Sequence, residues 1–154
     1  MEIERKFLVD ESPELSVLEH SEIEQGYLAL AGKRGGAEVR LRRRDDALTL
    51  TVKSGGGRSR EEEELELEPG EFERLWRLTE GRRLRKRRYL LPHGPLEVEL
   101  DVYGGELEGL RIAEVEFPDE AAADDFDPPE WFGDEVTGKE EYLNENLATK
   151  GLPE

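Results

Sequence analysis

The sequence contains no cysteine and only two histidines, His20 and His93. Without thiols there is no disulfide framework and no thiolate chemistry, and two histidines are too few for a histidine-rich zinc site. Long hydrophobic runs are also missing, and the N-terminus is already a charged stretch. Neither a signal peptide nor a membrane span is therefore indicated, and the predicted location is the cytoplasm.

Positive charge is scarce. The 22 lysines and arginines face 39 aspartates and glutamates, which gives a formal net charge of −17. Nucleic acids and anionic membranes bind basic surfaces, so neither is expected as the main partner. Only 35% of the residues are hydrophobic. The length of 154 residues predicts one domain, 1–154, with a small core.

The N-terminal stretch 1–9 has the alternation of a β-strand. Its apolar face and its charged face are formed by Ile3, Phe7 and Val9 and by Glu2, Glu4 and Lys6. Side chains two residues apart on a strand lie on one face, about 6.6 Å apart. Two carboxylates at that spacing suit a metal ion, and the lysine beside them suits the anion that the metal carries. The alternative is an amphipathic strand whose charged face is in water.

The same alternation recurs along the chain. It predicts further strands at 25–30, 37–44, 47–53, 60–68, 82–91, 96–102 and 110–117. Helices are predicted within 10–20, over 71–79, near Ala121 and over 139–149. No strand–helix–strand rhythm is present, so the fold class is β-dominated α+β with an eight-stranded antiparallel sheet.

Charges of opposite sign lie on different strands. Acids predominate on the polar faces of 96–102 and 110–117, and bases on those of 37–44 and 82–91. This segregation suits a closed eight-stranded barrel with a charged interior and with helices packed against its apolar exterior. The pattern alone leaves the more common architecture open, in which an apolar core is surrounded by solvated charges.

A series of short motifs resembles the CYTH domain, also called the triphosphate tunnel metalloenzyme family. The N-terminal Glu2-Ile3-Glu4-Arg5-Lys6 matches the ExExK signature of that family, and the other motifs follow in order over nearly the whole chain. They are Gln25-Gly26-Tyr27-Leu28, Val39-Arg40-Leu41-Arg42, Leu50-Thr51-Val52-Lys53-Ser54, Ser59-Arg60 with Glu62 and Glu64, Lys86-Arg87-Arg88-Tyr89, Glu99-Leu100-Asp101-Val102-Tyr103, Ala113-Glu114-Val115-Glu116-Phe117 and Trp131-Phe132-Gly133-Asp134-Glu135-Val136-Thr137.

The resemblance is to the short bacterial form of the family and implies a tunnel in which a divalent metal, Mg²⁺ or Mn²⁺, assists hydrolysis of inorganic triphosphate. It implies metal ligands at Glu2, Glu4, Glu62, Glu64, Asp101, Glu114 and Glu116. It implies phosphate contacts from Lys6, Arg40, Arg42, Lys53, Arg60, Lys86 and Arg88. The catalytic group implied is Glu4, Lys6 and Glu114. The expected partner is a small anionic triphosphate, and the expected state is a monomer or a homodimer.

Two alternatives stay open. One is another activity of the same family, either adenylyl cyclase or a thiamine or nucleoside triphosphatase. The other is a non-catalytic module that binds polyphosphate. The family also tends to have an Asp, a basic residue and a Tyr near its C-terminus, whereas this chain has Gly138-Lys139-Glu140-Glu141-Tyr142. The role of the last helix is therefore not predicted.

Overall fold

A computed structural model describes residues 3–15, 18–31, 36–54 and 61–153. The predicted ligands Glu2 and Arg60 lie outside these residues. The strands are β1 (Ile3–Leu8), β2 (His20–Ala29), β3 (Glu38–Arg44), β4 (Ala47–Ser54), β5 (Glu61–Glu66), β6 (Arg83–His93), β7 (Leu96–Tyr103) and β8 (Arg111–Phe117). The helices are α1 (Pro69–Trp76), α2 (Glu120–Asp125) and α3 (Asn144–Lys150), with 3₁₀ turns at Arg77–Thr79, Gly105–Leu107 and Glu140–Tyr142.

The eight strands form one antiparallel sheet in the order β1-β8-β7-β6-β2-β3-β4-β5. This confirms the β-dominated α+β class and the eight-stranded antiparallel sheet. The predicted closure into a barrel is not confirmed, because β1 and β5 are the two ends of the strand order and no pairing joins them within the described residues.

The free side of β1 is partly covered by the segment 133–137. The backbone of Leu8 donates to Asp134, and that of Val136 donates to Lys6, both at 2.8 Å. Arg5 holds the same segment through two hydrogen bonds to Glu135, at 2.7 and 2.9 Å. Only the first residues of β1 are therefore open to a further strand.

Some element boundaries differ from the predictions. Strand β2 begins at His20 rather than at 25, because its first residues pair with Arg85 to Tyr89 of β6. No helix is present among residues 10–15 and 18–20, where one was expected. The predicted helix 139–149 is divided into a 3₁₀ turn and α3.

The charged residues predicted for the site that fall within the described part of the chain all lie on one side of the sheet, which we call the polar face. Cross-strand partners in an antiparallel sheet point to the same side. The register pairs Glu4 with Glu116, Lys6 with Glu114, Glu99 with Glu114, Arg88 with Asp101, Arg40 with Thr51 and Lys53 with Glu62.

The opposite side of the sheet is the apolar face, and one core lies on it. Leu100, Ala113 and Val115 are completely buried there, and Ala123 of α2 packs with them. The aromatic rings of Phe126, Trp131 and Phe132 extend the same core. At the other half of the sheet, α1 covers β3 and β4 with Phe72. These helices lie outside the polar face, as predicted.

Helix α3 is the exception, because it packs on the polar face. Its buried Leu147 and Ala148 join a second apolar cluster with Tyr27, Leu84, Tyr103, Leu107 and Ile112. The hydroxyl of Tyr103 donates to Asn144 at 2.6 Å, which fixes the start of the helix. One end of the polar face is thus closed by α3. No helix in the described part of the chain is long and apolar enough to cross a membrane.

Candidate active site

A cavity of about 280 Å³ lies on the polar face between the acidic and the basic strands. Most of its lining is charged. The lining residues are Glu4, Lys6, Tyr27, Ala31, Gly36, Glu38, Arg40, Arg42, Lys53, Glu62, Arg88, Glu99, Glu114, Glu116, Leu143, Asn144 and Glu145. Nine of the residues predicted for the site are among them, namely Glu4, Lys6, Arg40, Arg42, Lys53, Glu62, Arg88, Glu114 and Glu116.

The acidic wall of the cavity is built by β1 and β8. Glu4 lies opposite Glu116, and Glu114 lies opposite Lys6. Burial by itself raises the pKa of Glu114, but a hydrogen bond with Glu4 and the charge of Lys6 outweigh burial and lower it. Glu114 is therefore an anion in a partly dry position. Within the described residues, no three acidic or histidine side chains are already arranged around one point as a metal site.

The basic wall is built by β3 and β4. Arg40, Arg42 and Lys53 form no ion pair among the described residues. The Nε of Arg40 is buried and has no hydrogen-bond partner there. Burial, together with the neighbouring Arg40 and Arg88, lowers the pKa of Arg42 to about 10. Cations gathered in this way are arranged for an anion that enters the cavity.

Beneath the cavity, one carboxylate supports two cations. Asp101 accepts hydrogen bonds from Nε and Nη2 of Arg88 at 2.9 and 3.0 Å, and Nζ of Lys86 lies 2.8 Å from its Oδ2. Burial raises the pKa of Asp101, but Lys86 and Arg88 outweigh burial and hold it well below its usual range. Burial lowers the pKa of Lys86 to about 8.

The structure therefore divides the predicted residues into three groups. Lys86 and Asp101 are almost fully buried and are not among the residues that line the cavity. Glu64 is exposed on β5, and its carboxylate is 3.5 Å from the hydroxyl of Thr51. The third group lines the cavity, as given above.

Several cavity residues were not assigned from the sequence. Tyr27 is completely buried, and Asn144 and Glu145 come from the start of α3. The Oε2 of Glu145 accepts a hydrogen bond from the backbone of Ala31 at 3.0 Å, which ties α3 to the end of β2. Tyr27 falls on the polar face by its alternation with Gln25, so that signal was present in the sequence. The position of α3 depends on long-range packing and carried no such signal.

A second cavity, of about 370 Å³, lies on the apolar side of β2 and β6. Three of its four basic lining residues, Arg43, Lys86 and Arg87, are paired with acids. Arg87 lies 2.9 Å from Glu22, and Arg43 lies 2.9 Å from Glu73. Because these charges are already compensated, this cavity is a weaker candidate for an anion than the polar face.

A family model described as the CYTH domain matches residues 1–152. The chain belongs to the CYTH domain family.

Relatives in this family resemble the chain over almost its full length. An inorganic triphosphatase of Nitrosomonas europaea is 47% identical over 149 residues, which are 96% of this chain and 96% of the relative. An inorganic triphosphatase of Acetivibrio thermocellus is 41% identical over 149 residues, covering 96% and 92% of the two chains. A crystal structure of an inorganic triphosphatase superposes with a TM-score of 0.78 at 40% identity, covering 99% of this chain and 97% of that chain.

The predicted membership of the CYTH family is thereby confirmed. The structure also accounts for the two faces of the strands. In an ordinary antiparallel sheet the charged face is in water and the apolar face is in the core. Here the charged face carries the cavity, with buried ions such as Lys86, and the apolar face is covered by α1, α2 and the segment around Phe126.

Proposed function

We propose that this chain hydrolyses inorganic triphosphate to diphosphate and phosphate in the cavity of the polar face. The observation that carries the proposal is the opposition of a carboxylate wall to a wall whose cations, Arg40, Arg42 and Lys53, form no ion pair with any residue that the structure describes. A chain of phosphates is a small, dense polyanion that needs several cations along its length. The relatives named inorganic triphosphatase support the same conclusion.

The basic wall, together with Arg88 of β6 and Lys6 of β1, is proposed to hold the substrate. Arg40, Arg42 and Arg88 offer guanidinium groups, which bind two phosphate oxygens at once. Lys6 and Lys53 add ammonium groups on neighbouring and opposite strands. Together they fix the terminal phosphorus in a position where a water attacks in line. The bond between that phosphorus and the bridging oxygen breaks as the new one forms, and diphosphate leaves.

The acidic wall is proposed to hold Mg²⁺ or Mn²⁺. The donor set fits such an ion, because hard divalent cations prefer carboxylate oxygens and keep several waters. Glu4, Glu114 and Glu116 face one another across β1 and β8, with Glu62 and the predicted Glu2 as further ligands. The metal would offset phosphate charge and lower the pKa of a bound water.

Closure of the sheet belongs to the same proposal. In the structure the acids of β5 lie at one sheet edge and those of β1 lie at the other. In a bound metal–triphosphate complex, the metal would attract the carboxylates of both edges. The phosphates would bind the cations of the strands that lie between those edges. We propose that the two edges approach when the complex binds and that the cavity then becomes a tunnel.

A phosphate-release assay tests the function. Inorganic triphosphate, ATP, thiamine triphosphate and long-chain polyphosphate are compared, each with Mg²⁺, with Mn²⁺ and with EDTA. Fast release from inorganic triphosphate alone, abolished by EDTA, supports the proposal. Preference for a nucleoside or thiamine triphosphate would favour another activity of the family, and binding without release would indicate a binding module.

The variant Glu4→Gln is expected to lose turnover while it stays folded, because the amide is a poorer metal ligand of the same size. Its circular dichroism spectrum and melting temperature provide the control for folding. Normal turnover in this variant would overturn the metal assignment. The cytoplasmic location and the monomeric or homodimeric state stay predictions from the sequence.

A further inference from the structure

A buried amide links two residues of the cavity. Gln25 on β2 is completely buried, and it lies behind the cavity rather than on its surface. Its Oε1 accepts hydrogen bonds from Nε and Nη2 of Arg42 at 3.2 and 2.9 Å. Its Nε2 donates to the hydroxyl oxygen of Tyr27 at 2.8 Å. Both neighbours line the cavity.

The orientation of the amide follows from chemistry. A guanidinium group has only donors, so the atom that faces Arg42 must be the oxygen of Gln25. The nitrogen of Gln25 then donates to Tyr27, and the hydroxyl proton of Tyr27 is left to point elsewhere. Two donors, the guanidinium of Arg42 and the hydroxyl of Tyr27, are therefore oriented by one side chain.

The partner of Arg42 differs in charge from the partner of Arg88. Arg88 rests on the carboxylate of Asp101, which compensates its charge. Arg42 rests on an amide, which accepts the same two hydrogen bonds and carries no charge. The guanidinium of Arg42 is therefore fixed in direction but keeps its full positive charge for a ligand. The lowered pKa of Arg42, which follows from burial and from the nearby Arg40 and Arg88, agrees with an uncompensated cation.

We propose that Gln25 is a positioning residue of the triphosphate site, which aims Arg42 at the phosphates without neutralising it. The inference rests on the proposed function. It predicts that the amide is required for its neutrality as well as for its shape. A carboxylate in its place would keep both hydrogen bonds to Arg42 and still weaken the substrate contact.

The matched variants are Gln25→Glu and Gln25→Leu. Affinity for inorganic triphosphate is measured by calorimetry in EDTA, where no turnover occurs, and KM and kcat are measured with Mg²⁺. Gln25→Glu is expected to weaken affinity and to raise KM by about tenfold, the worth of one charge-assisted contact, with kcat within about twofold. Its melting temperature is expected to equal or exceed that of the wild type, because the buried Arg42 gains an anionic partner.

A double-mutant cycle shows whether Gln25 acts through Arg42. Gln25→Leu is expected to weaken triphosphate binding about tenfold in the wild type and to have almost no further effect in an Arg42→Gln background. Additive losses would show that Gln25 acts on the fold in general and would overturn the proposal. Should Gln25→Leu fail to fold, Gln25→Glu decides, since it has the same size.

The outcomes separate the two proposals. A wild type that neither binds nor hydrolyses triphosphate would overturn the function and the inference together. A wild type that binds triphosphate, with Gln25→Glu binding equally well, would overturn the positioning role alone. A lower melting temperature with unchanged affinity in the Gln25 variants would indicate that the amide has only a structural role, and this result would also overturn the positioning role.

Discussion

A single carboxylate, Asp101, shows what buried charge contributes in this molecule. Three donors from Arg88 and Lys86 surround it, and almost none of its surface is exposed. A metal ion at this carboxylate would have to displace part of that arrangement. The metal role of Asp101 stays a prediction from the sequence, and its contacts with Arg88 and Lys86 favour a supporting role beneath the residues that bind phosphate.

Replacement of this carboxylate is expected to destabilise the fold. Asp101→Asn leaves Lys86 as a buried cation without a compensating charge and leaves Arg88 with only the longer contact to Glu99. Removing one partner of a buried ion pair typically costs about 3–5 kcal/mol of unfolding free energy. Urea unfolding at pH 6 measures the loss. The control is Glu99→Gln, because Glu99 is partly exposed and lies at a longer 3.4 Å from Arg88. The control is expected to change stability by at most about 1 kcal/mol.

The pKa shifts of Asp101 and Glu99 have opposite signs, so pH affects the stability of the two variants relative to the wild type in opposite directions. Asp101 has a lowered folded pKa, so its stabilisation is present above its unfolded pKa of about 3.9 and is lost as pH falls through the folded pKa. The difference in unfolding free energy between the wild type and Asp101→Asn should therefore become smaller below about pH 4. Burial raises the pKa of Glu99, so the ionised carboxylate destabilises the folded state. Any gain in unfolding free energy from Glu99→Gln should therefore become smaller as the pH falls and Glu99 is protonated in the wild type. A gap for Asp101→Asn that stays constant down to pH 2.5 would contradict the assigned pKa shift.

At this scale the sequence showed which residues share a face but not which of them touch. Alternation placed Arg88 and Asp101 on polar faces, since a strand has a period of two. Their pairing depends on the register of β6 against β7, which no local pattern gives. The same holds for the contact of Gln25 with Arg42 across β2 and β3.

Among the elements, the strands were predicted well and the helices less well. Each strand carries its own alternation, so all eight could be found from local sequence. Strand β2 was predicted too short because its first residues, His20 to Glu24, are mostly polar and are held by pairing with β6. Helix α3 has seven residues, and only its packing against Tyr103 and Leu84 explains its place on the polar face.

Strand β2 and the 3₁₀ turn after α1 pack so closely that only glycine fits at 26. A Cβ atom there would lie 2.6 Å from Oγ1 of Thr79 and 3.0 Å from the ring of Trp76. Gly26→Ala is therefore expected to cost about 1–3 kcal/mol of unfolding free energy, as overpacking usually does. Chemical denaturation with fluorescence of the tryptophans gives the value.

The matched control is Gly70→Ala within α1. A Cβ atom at this position meets only the end of the Arg74 side chain at 3.5 Å, which is ordinary contact. Alanine also has the higher helix propensity, so Gly70→Ala is expected to be neutral or stabilising by up to about 1 kcal/mol. Equal losses in the two variants would argue against close packing at Gly26.

The molecule as a whole has far more acidic than basic residues, and its melting temperature should therefore depend on the salt concentration. With 39 acidic and 22 basic residues, repulsion among like charges outweighs the exposed ion pairs. Screening is therefore expected to raise the melting temperature by a few degrees between about 10 and 300 mM NaCl in EDTA. Choline chloride is the control for specific cation binding and should act alike. A melting temperature that falls with salt would show that the ion pairs dominate.

The open sheet also predicts a change of shape. When a magnesium–triphosphate complex binds, β5 should move towards the acidic wall, because the carboxylates of both edges are drawn to the same cation. The absence of cysteine allows this distance to be measured cleanly, since introduced thiols are the only sites for labels. Spin labels on Glu63→Cys of β5 and Glu120→Cys of α2 lie on exposed positions away from the polar face. Their distance is expected to shorten by several ångströms in samples frozen quickly after the complex is added.

A second label pair provides the reference for this experiment. Glu106→Cys and Glu120→Cys both lie on the side of β7 and β8, so their distance should not change. Because the segment 133–137 already occupies the later part of β1, contact with β5 is expected only near the start of that strand. Shortening in the β5 pair alone, with magnesium and triphosphate both required, would show a hinge within the basic strands. An unchanged distance, in a sample that hydrolyses triphosphate after thawing, would mean that catalysis proceeds in an open cleft and that the polar face never closes into a tunnel.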